Sequence, residues 1–223
     1  MKKAIDFFTA HPARFFLLAA LLWGGLMCYL NSKDVGENGF SWHDLLVEAN
    51  GMVFDLLVFG ILLSIYEALR EKRDKIERLQ EEIDDYRGWD EKEATFRIVG
   101  AVKRLNRLGV SEVKLNGCFL QKADFFMASL QGAVLFMANL QEASLMSANL
   151  QRANLGAANL QRAMLWKANL QGADLRDTNL QEAMVDKYWF EKLEEWQVIG
   201  REDIIKKYLI DVSGAYGMLR EKQ

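Results

Sequence analysis

The spacing of apolar residues changes character along this chain. From Leu115 to Leu180 a Leu or Phe recurs at every fifth residue, and Val185 extends the series to fifteen positions in phase. Two residues before each stands a small side chain: Val113 and Cys118 first, Ala from Ala123 through Ala173, then Thr178 and Ala183. On a helix each step of five rotates the Leu by roughly 140°, so the leucines would scatter around the cylinder and define no buried face. In an extended segment, residues two apart point the same way. Pairs such as Ala123 with Phe125, or Ala148 with Leu150, therefore predict inward positions, with the remaining residues turning a corner. Such units bury little alone and gain stability by stacking.

Upstream the period becomes helical. Phe96, Val99, Val102 and Leu105 predict a helix over Glu93 to Leu108, with Gly109 closing it. Downstream, Trp189, Phe190, Leu193 and Trp196 predict another over Lys187–Ile199, followed by a short helix at Arg201–Tyr208. The stretches Tyr208–Val212 and Ala215–Leu219 flank Ser213-Gly214 and predict a small hairpin. Helices at the two ends of the repeat are expected to cap its open strand edges.

The repeat itself resembles the pentapeptide-repeat family, whose pattern is roughly A-(D/N)-L-x-x. Matching stretches include Ala148-Asn149-Leu150, Ala153-Asn154-Leu155, Ala158-Asn159-Leu160, Ala168-Asn169-Leu170 and Ala173-Asp174-Leu175. The resemblance implies a right-handed quadrilateral β-helix with four pentapeptides per coil. Fifteen repeats then give nearly four coils, a rod of roughly 18 Å at the ~4.8 Å spacing of adjacent strands. Phe119, Ser129, Val134, Ser144, Met164 and Met184 replace the Asn or Asp, and corners at those repeats are expected to be less regular.

A ten-residue period lies on top. Gln121, Gln141, Gln161 and Gln181 should stack on one side, and Gln131, Gln151 and Gln171 opposite, where amides can form ladders. The other two sides vary. One carries Phe126, Met146 and Trp166 with Met127, Met164 and Met184 nearby, and the opposite one carries Val134, Phe136 and Met137, then Gly156 and Arg176. Among these outward positions Phe126, Met146, Met164, Trp166 and Phe136 are the candidate interaction surface, because contiguous exposed apolar groups mark interfaces.

Two apolar runs open the chain: Phe15–Leu30, which has no charged residue, and Leu45–Tyr66. Both are read as transmembrane helices. Lys2, Lys3 and Arg14 precede the first, and Arg70, Lys72, Arg73, Lys75 and Arg78 follow the second. The bias predicts both termini and the repeat on the cytoplasmic side of a bacterial inner membrane, as a multi-pass protein in contact with the lipid bilayer. Glu48, Asn50 and Asp55 lie in the second run and form the candidate intramembrane polar site. Residues at seven-residue spacing, together with a companion series three residues on, include Leu62, Leu69, Ile76, Leu79 and Ile83. They form the candidate oligomer seam of a short coiled coil.

The domain reading is a membrane anchor over 1–66, a charged stalk over 67–90 and an N-terminal cap over 91–110. The solenoid spans 111–186 and the C-terminal cap 187–223. The chain has two histidines and two cysteines and shows no metal-ligand spacing, phosphate loop or nucleophile motif. No catalytic residue, cofactor or metal is predicted. Some relatives with this repeat mimic DNA with an acidic rod. Here seven acids face six bases between Ser111 and Asp186, which suits neither mimicry nor phosphate binding. The expected function is a non-enzymatic, membrane-anchored scaffold that presents the solenoid to an unidentified protein partner. The alternative is an oligomeric two-helix pore or transport-related protein with the solenoid as cytoplasmic sensor.

Overall fold

The five-residue period closes into a coil of twenty residues. Lys114 pairs in parallel with Val134, Val134 with Asn154, and Asn154 with Asp174, and the other three sides repeat that step. The computed structural model describes residues 21, 22, 25, 42–213 and 216–222. Within the repeat the residue before each central Leu lies in the strand bridge. The Leu115 N–H donates to the Val134 carbonyl at 2.7 Å, and the Val134 N–H donates to the Val113 carbonyl at 2.9 Å. The small and central residues both point inward and are buried from Val113 to Val185. Each fully buried Leu contributes about 1.5–3 kcal/mol. Thr178 brings a hydroxyl into this core and donates it to the Leu175 carbonyl at 2.7 Å, so this hydroxyl is not left unpaired.

The two residues after each central Leu form the corner. The second has φ between 54° and 69° at every corner from Gly117 to Glu182. With the N–H of the next small residue bonded back, as from Cys118 to the Leu115 carbonyl, this fits a type II turn. Glycine suits that backbone, yet eleven of these fourteen positions hold other residues. The expected irregularity at Ser129, Val134, Ser144 and Met164 is therefore corrected, since their corners share the common geometry. Inter-coil bonds at the corner itself, such as the Met127 N–H to the Met146 carbonyl at 3.0 Å, set the turn whatever precedes it. The Asn or Asp adds a further bond where it occurs. Its side-chain oxygen accepts the N–H two residues on, as Asn154 does from Gly156 at 3.0 Å and Asn169 from Gln171 at 3.1 Å.

Two units divide the chain, Met1–Asp74 and Lys75–Gln223. The second contains the solenoid and its caps. Helix α1 spans Trp42–Tyr86, so its last turns fall in this unit. Helix α2 spans Lys92–Arg107. Its buried residues are Ala94, Thr95, Ile98, Val99, Ala101, Val102 and Leu105. Phe96, expected on that face, is instead 76% exposed.

Side chains on the two helices complete the open edge of the first coil. The Gln80 carboxamide donates to the Lys114 carbonyl at 3.2 Å and accepts its N–H at 3.5 Å. Asn106 treats Ser129 in the same way, at 2.8 and 2.9 Å. Thr95 donates its hydroxyl to the Phe119 carbonyl at 3.1 Å. A carboxamide offers one donor and one acceptor side by side, as a peptide group does. Gln80 and Asn106 thus replace a missing strand and blunt an edge that would otherwise pair with another chain.

At the other end β1 spans Met184–Asp186, α3 Trp189–Glu195 and α4 Arg201–Lys207. The strands β2, Tyr208–Ser213, and β3, Tyr216–Glu221, follow. The sheet order is β1-β3-β2, antiparallel throughout. Ile199 pairs in parallel with Asp174 on one side of the last coil. On another, the Leu219 N–H reaches the Ala183 carbonyl at 2.9 Å. Trp189 and Leu193 are buried beneath α3.

The first unit is described over parts of its length. Among the described residues no helix is long and apolar enough to cross a membrane. The expected transmembrane hairpin is therefore not supported. Glu48, Asn50 and Asp55 interrupt the apolar run on α1, and a charged sequence continues the same helix beyond Tyr66. The first run, Phe15–Leu30, lies outside the described residues except for Leu21, Leu22 and Gly25.

Candidate interaction surface

The coil places its exposed apolar groups at two corners. Phe126 and Met127 form one, 48% and 69% exposed. Phe136 and Met137 form another, two sides further along the chain, at 44% and 62%. Coil stacking then sets what lies beside each. Met146 and Trp166 follow Phe126 at twenty-residue steps, the Ser147 N–H bonding to the Trp166 carbonyl at 3.0 Å. Both are half-buried, as is Met164, which bridges Ser144 and Met184. The Lys167 ammonium lies 4.4 Å from the centre of the Trp166 ring, so a cation occupies one ring face. Phe136 packs over Gly156, where an added Cβ would come within 3.3 Å of its ring.

The five predicted surface residues are thus present, with unequal exposure. Met127 and Met137, expected to face out beside these five though not counted among them, are more exposed than the phenylalanines next to them.

The remaining predicted residues separate. Asp55 is exposed on α1, while Glu48 and Asn50 lie on the same helix. Leu62 and Leu69 are 59% and 64% exposed. Leu79 and Ile83 are buried in the core of the second unit, and Ile76 packs at its edge. This corrects the seam, because its last two members serve the chain's own cap and cannot also face a second copy.

Charge on the solenoid is largely paired. The corner after Leu120 and Leu160 carries Lys122–Glu142 at 3.4 Å and Arg162–Glu182 at 2.6 Å. Lys103 of the cap holds the Asp124 carboxyl below its usual range, chiefly through their hydrogen bond, with the Phe126 N–H adding to it. The Arg176 guanidinium does the same for Asp174. Burial pushes the Cys118 thiol up to about 11. Among the glutamines one rung is formed among the described residues, from Gln151 to Gln171 at 3.1 Å. Gln121 instead donates to Asp90 at 2.8 Å. Among the described residues no group of three or more His, Cys, Asp and Glu side chains could hold a metal ion.

The family model described as pentapeptide repeats matches residues 123–162 and 153–186, in 8 copies. Solved structures with likeness to this chain include three proteins. Rfr23, a pentapeptide repeat protein of the cyanobacterium Cyanothece 51142, is 37% identical over 34% of this chain and 49% of its own, with a TM-score of 0.29. HetL of Nostoc sp. strain PCC 7120, a pentapeptide repeat protein involved in heterocyst differentiation regulation, is 36% identical. The match covers 33% of this chain and 37% of HetL, with a TM-score of 0.21. A pentapeptide repeat protein of the Arabidopsis thaliana thylakoid lumen is 28% identical over 31% of this chain and 48% of its own, with a TM-score of 0.24. The chain spans half or less of each of these three. No curated protein matches it. The inward Ala and Leu positions, the twenty-residue coil and the matched segment together show that residues 123–186 are pentapeptide repeats.

Proposed function

We propose that the protein is a non-enzymatic scaffold that presents its solenoid to a protein partner, tethered to a lipid bilayer through its N-terminal segment. One observation carries the first part: Phe126, Met127, Phe136 and Met137 stand 44–69% exposed on a rod whose other two corners carry glutamines followed by charged residues or glycines. Apolar groups on a stacked, hydrogen-bonded frame are held ready for a partner at little ordering cost.

Support for the tether comes from the uncharged run Phe15–Leu30. The exposure of Phe54, Val58, Phe59, Ile61, Leu62, Ile65 and Tyr66 on α1 adds to it, since a helix this apolar on its surface sits against apolar matter. Carbonate washing of isolated membranes tests this part: retention of the chain in the pellet is expected, and full release would remove the tether.

Photo-crosslinking from position 127 or 137 in cells tests the scaffold reading. A discrete adduct is expected, lost in the Phe126→Ser/Phe136→Ser variant, while the same crosslinker at Lys122 gives none. An adduct pattern identical in the variant would defeat it.

A further inference from the structure

The two glutamine corners differ in one respect that the repeat alone does not require. On the first, the residues following the glutamines are Lys122, Glu142, Arg162 and Glu182, which neutralise one another in pairs. On the second they are Gly132, Arg152 and Gly172. Arg152 thus stands between two residues without side chains, and among the described residues no carboxylate lies within ion-pair distance of it. Its stem leans over the Gly172 gap, where an added Cβ would be 3.5 Å from its Cγ. The C-terminal cap then closes this space from one side. The Gly172 N–H donates to the Trp196 carbonyl at 2.8 Å, and Trp196 with Glu195 lines a cleft shared with Gln151, Gln171 and Arg152.

We infer that this cleft binds an extended peptide carrying a carboxylate side chain. The guanidinium is a planar fork that matches a carboxylate with two parallel bonds. Beside it, the Gln151–Gln171 rung uses one donor and one acceptor, leaving further carboxamide donors and acceptors to meet peptide groups. A peptide presents both kinds of group, whereas phosphate presents only acceptors at neutral pH apart from its residual proton. Charge favours the same choice. Glu195 on the rim and Glu112, which lies across the Gly132 gap, oppose a doubly charged anion more than a singly charged one. The site occupies a different corner from the exposed apolar groups and stands without them.

The full chain in detergent, labelled with 15N at its indoles, provides the test. Blocked Ala-Ser-Glu-Ser-Ala is titrated against the Trp196 indole resonance, with Ala-Ser-Gln-Ser-Ala and inorganic phosphate as comparisons. Saturable movement with the Glu peptide is expected, with the other two at least tenfold weaker. Arg152→Gln should weaken the Glu peptide at least tenfold, and Arg162→Gln, on the paired corner, should leave it unchanged. No movement, equal response to the Gln peptide or phosphate, or an unaltered Arg152→Gln titration would each overturn the assignment.

Discussion

At the scale of single residues, the solenoid spends backbone strain to keep its corners uniform. Residues other than glycine in the left-handed region cost roughly 1–2 kcal/mol each, and eleven corner positions hold one. Ala157 is a clean case: φ is 54°, the methyl is exposed, and its N–H donates to the Arg176 carbonyl at 2.8 Å whatever the side chain. Ala157→Gly should relieve that strain against a glycine entropy cost of about 0.5–1 kcal/mol, for a net stabilisation of about 0.5–1 kcal/mol. Urea unfolding would measure it, and a destabilised variant would show that the corner carries little strain. Cys118 illustrates the opposite environment, a reactive group used only for its volume. It fills an inward small position, fully buried, and burial raises its thiol to about 11. The folded protein at pH 8 should leave Cys118 unalkylated by iodoacetamide, as read by peptide mass, and modification before unfolding would contradict the packed core.

At the scale of elements, the caps hold the repeat together at its ends, and their chemistry was only partly legible in the sequence. The helical period over 93–108 announced a helix, and period five announced the coil, because both are statements about which positions face inward. The heptad through Leu79 and Ile83 was equally visible but ambiguous. An apolar stripe says that something covers it, and here the chain's own first coil competes successfully with a second copy. Phe96 was misassigned for a related reason: it lies three residues from Val99, but Ile98 and Ala101 complete the buried arc. The peptide-like roles of Gln80 and Asn106 could not be read at all, since they depend on where two helices meet four strand ends. Asn106→Ala tests that role. It leaves the Ser129 N–H and carbonyl without their partners in a partly buried site, at a cost of about 1–3 kcal/mol. Loss of stability in urea together with increased light scattering on warming is expected, because the exposed edge can recruit another chain. A variant as stable and monodisperse as the parent would mean water serves as well as the amide.

At the scale of the whole molecule, the question is whether the two ends of the solenoid know about each other. In repeat arrays contacts reach only the next coil, so long arrays can fray from either end independently. This array is short, and its buried residues form one continuous cluster from Leu79 in the N-terminal cap to Leu219 in the C-terminal one. With nearly four coils between the caps, no coil is more than two steps from an end, and unfolding should be all-or-none. Tyr208 gives a second handle at the far end: its buried hydroxyl accepts the Leu180 N–H at 3.2 Å, and Tyr208→Phe removes that partner for about 1–3 kcal/mol. Combined with Asn106→Ala, the two changes share no contact and should add within about 0.5 kcal/mol. Hydrogen exchange separates the possibilities. If the unit opens as one, the Leu120 and Asn179 amides, bonded to the Asn139 and Ala158 carbonyls, lose the same protection free energy in either single variant and the sum of both in the double. If each variant loosens only its own end, with the other amide unmoved, the continuous core does not couple the caps and the solenoid frays locally.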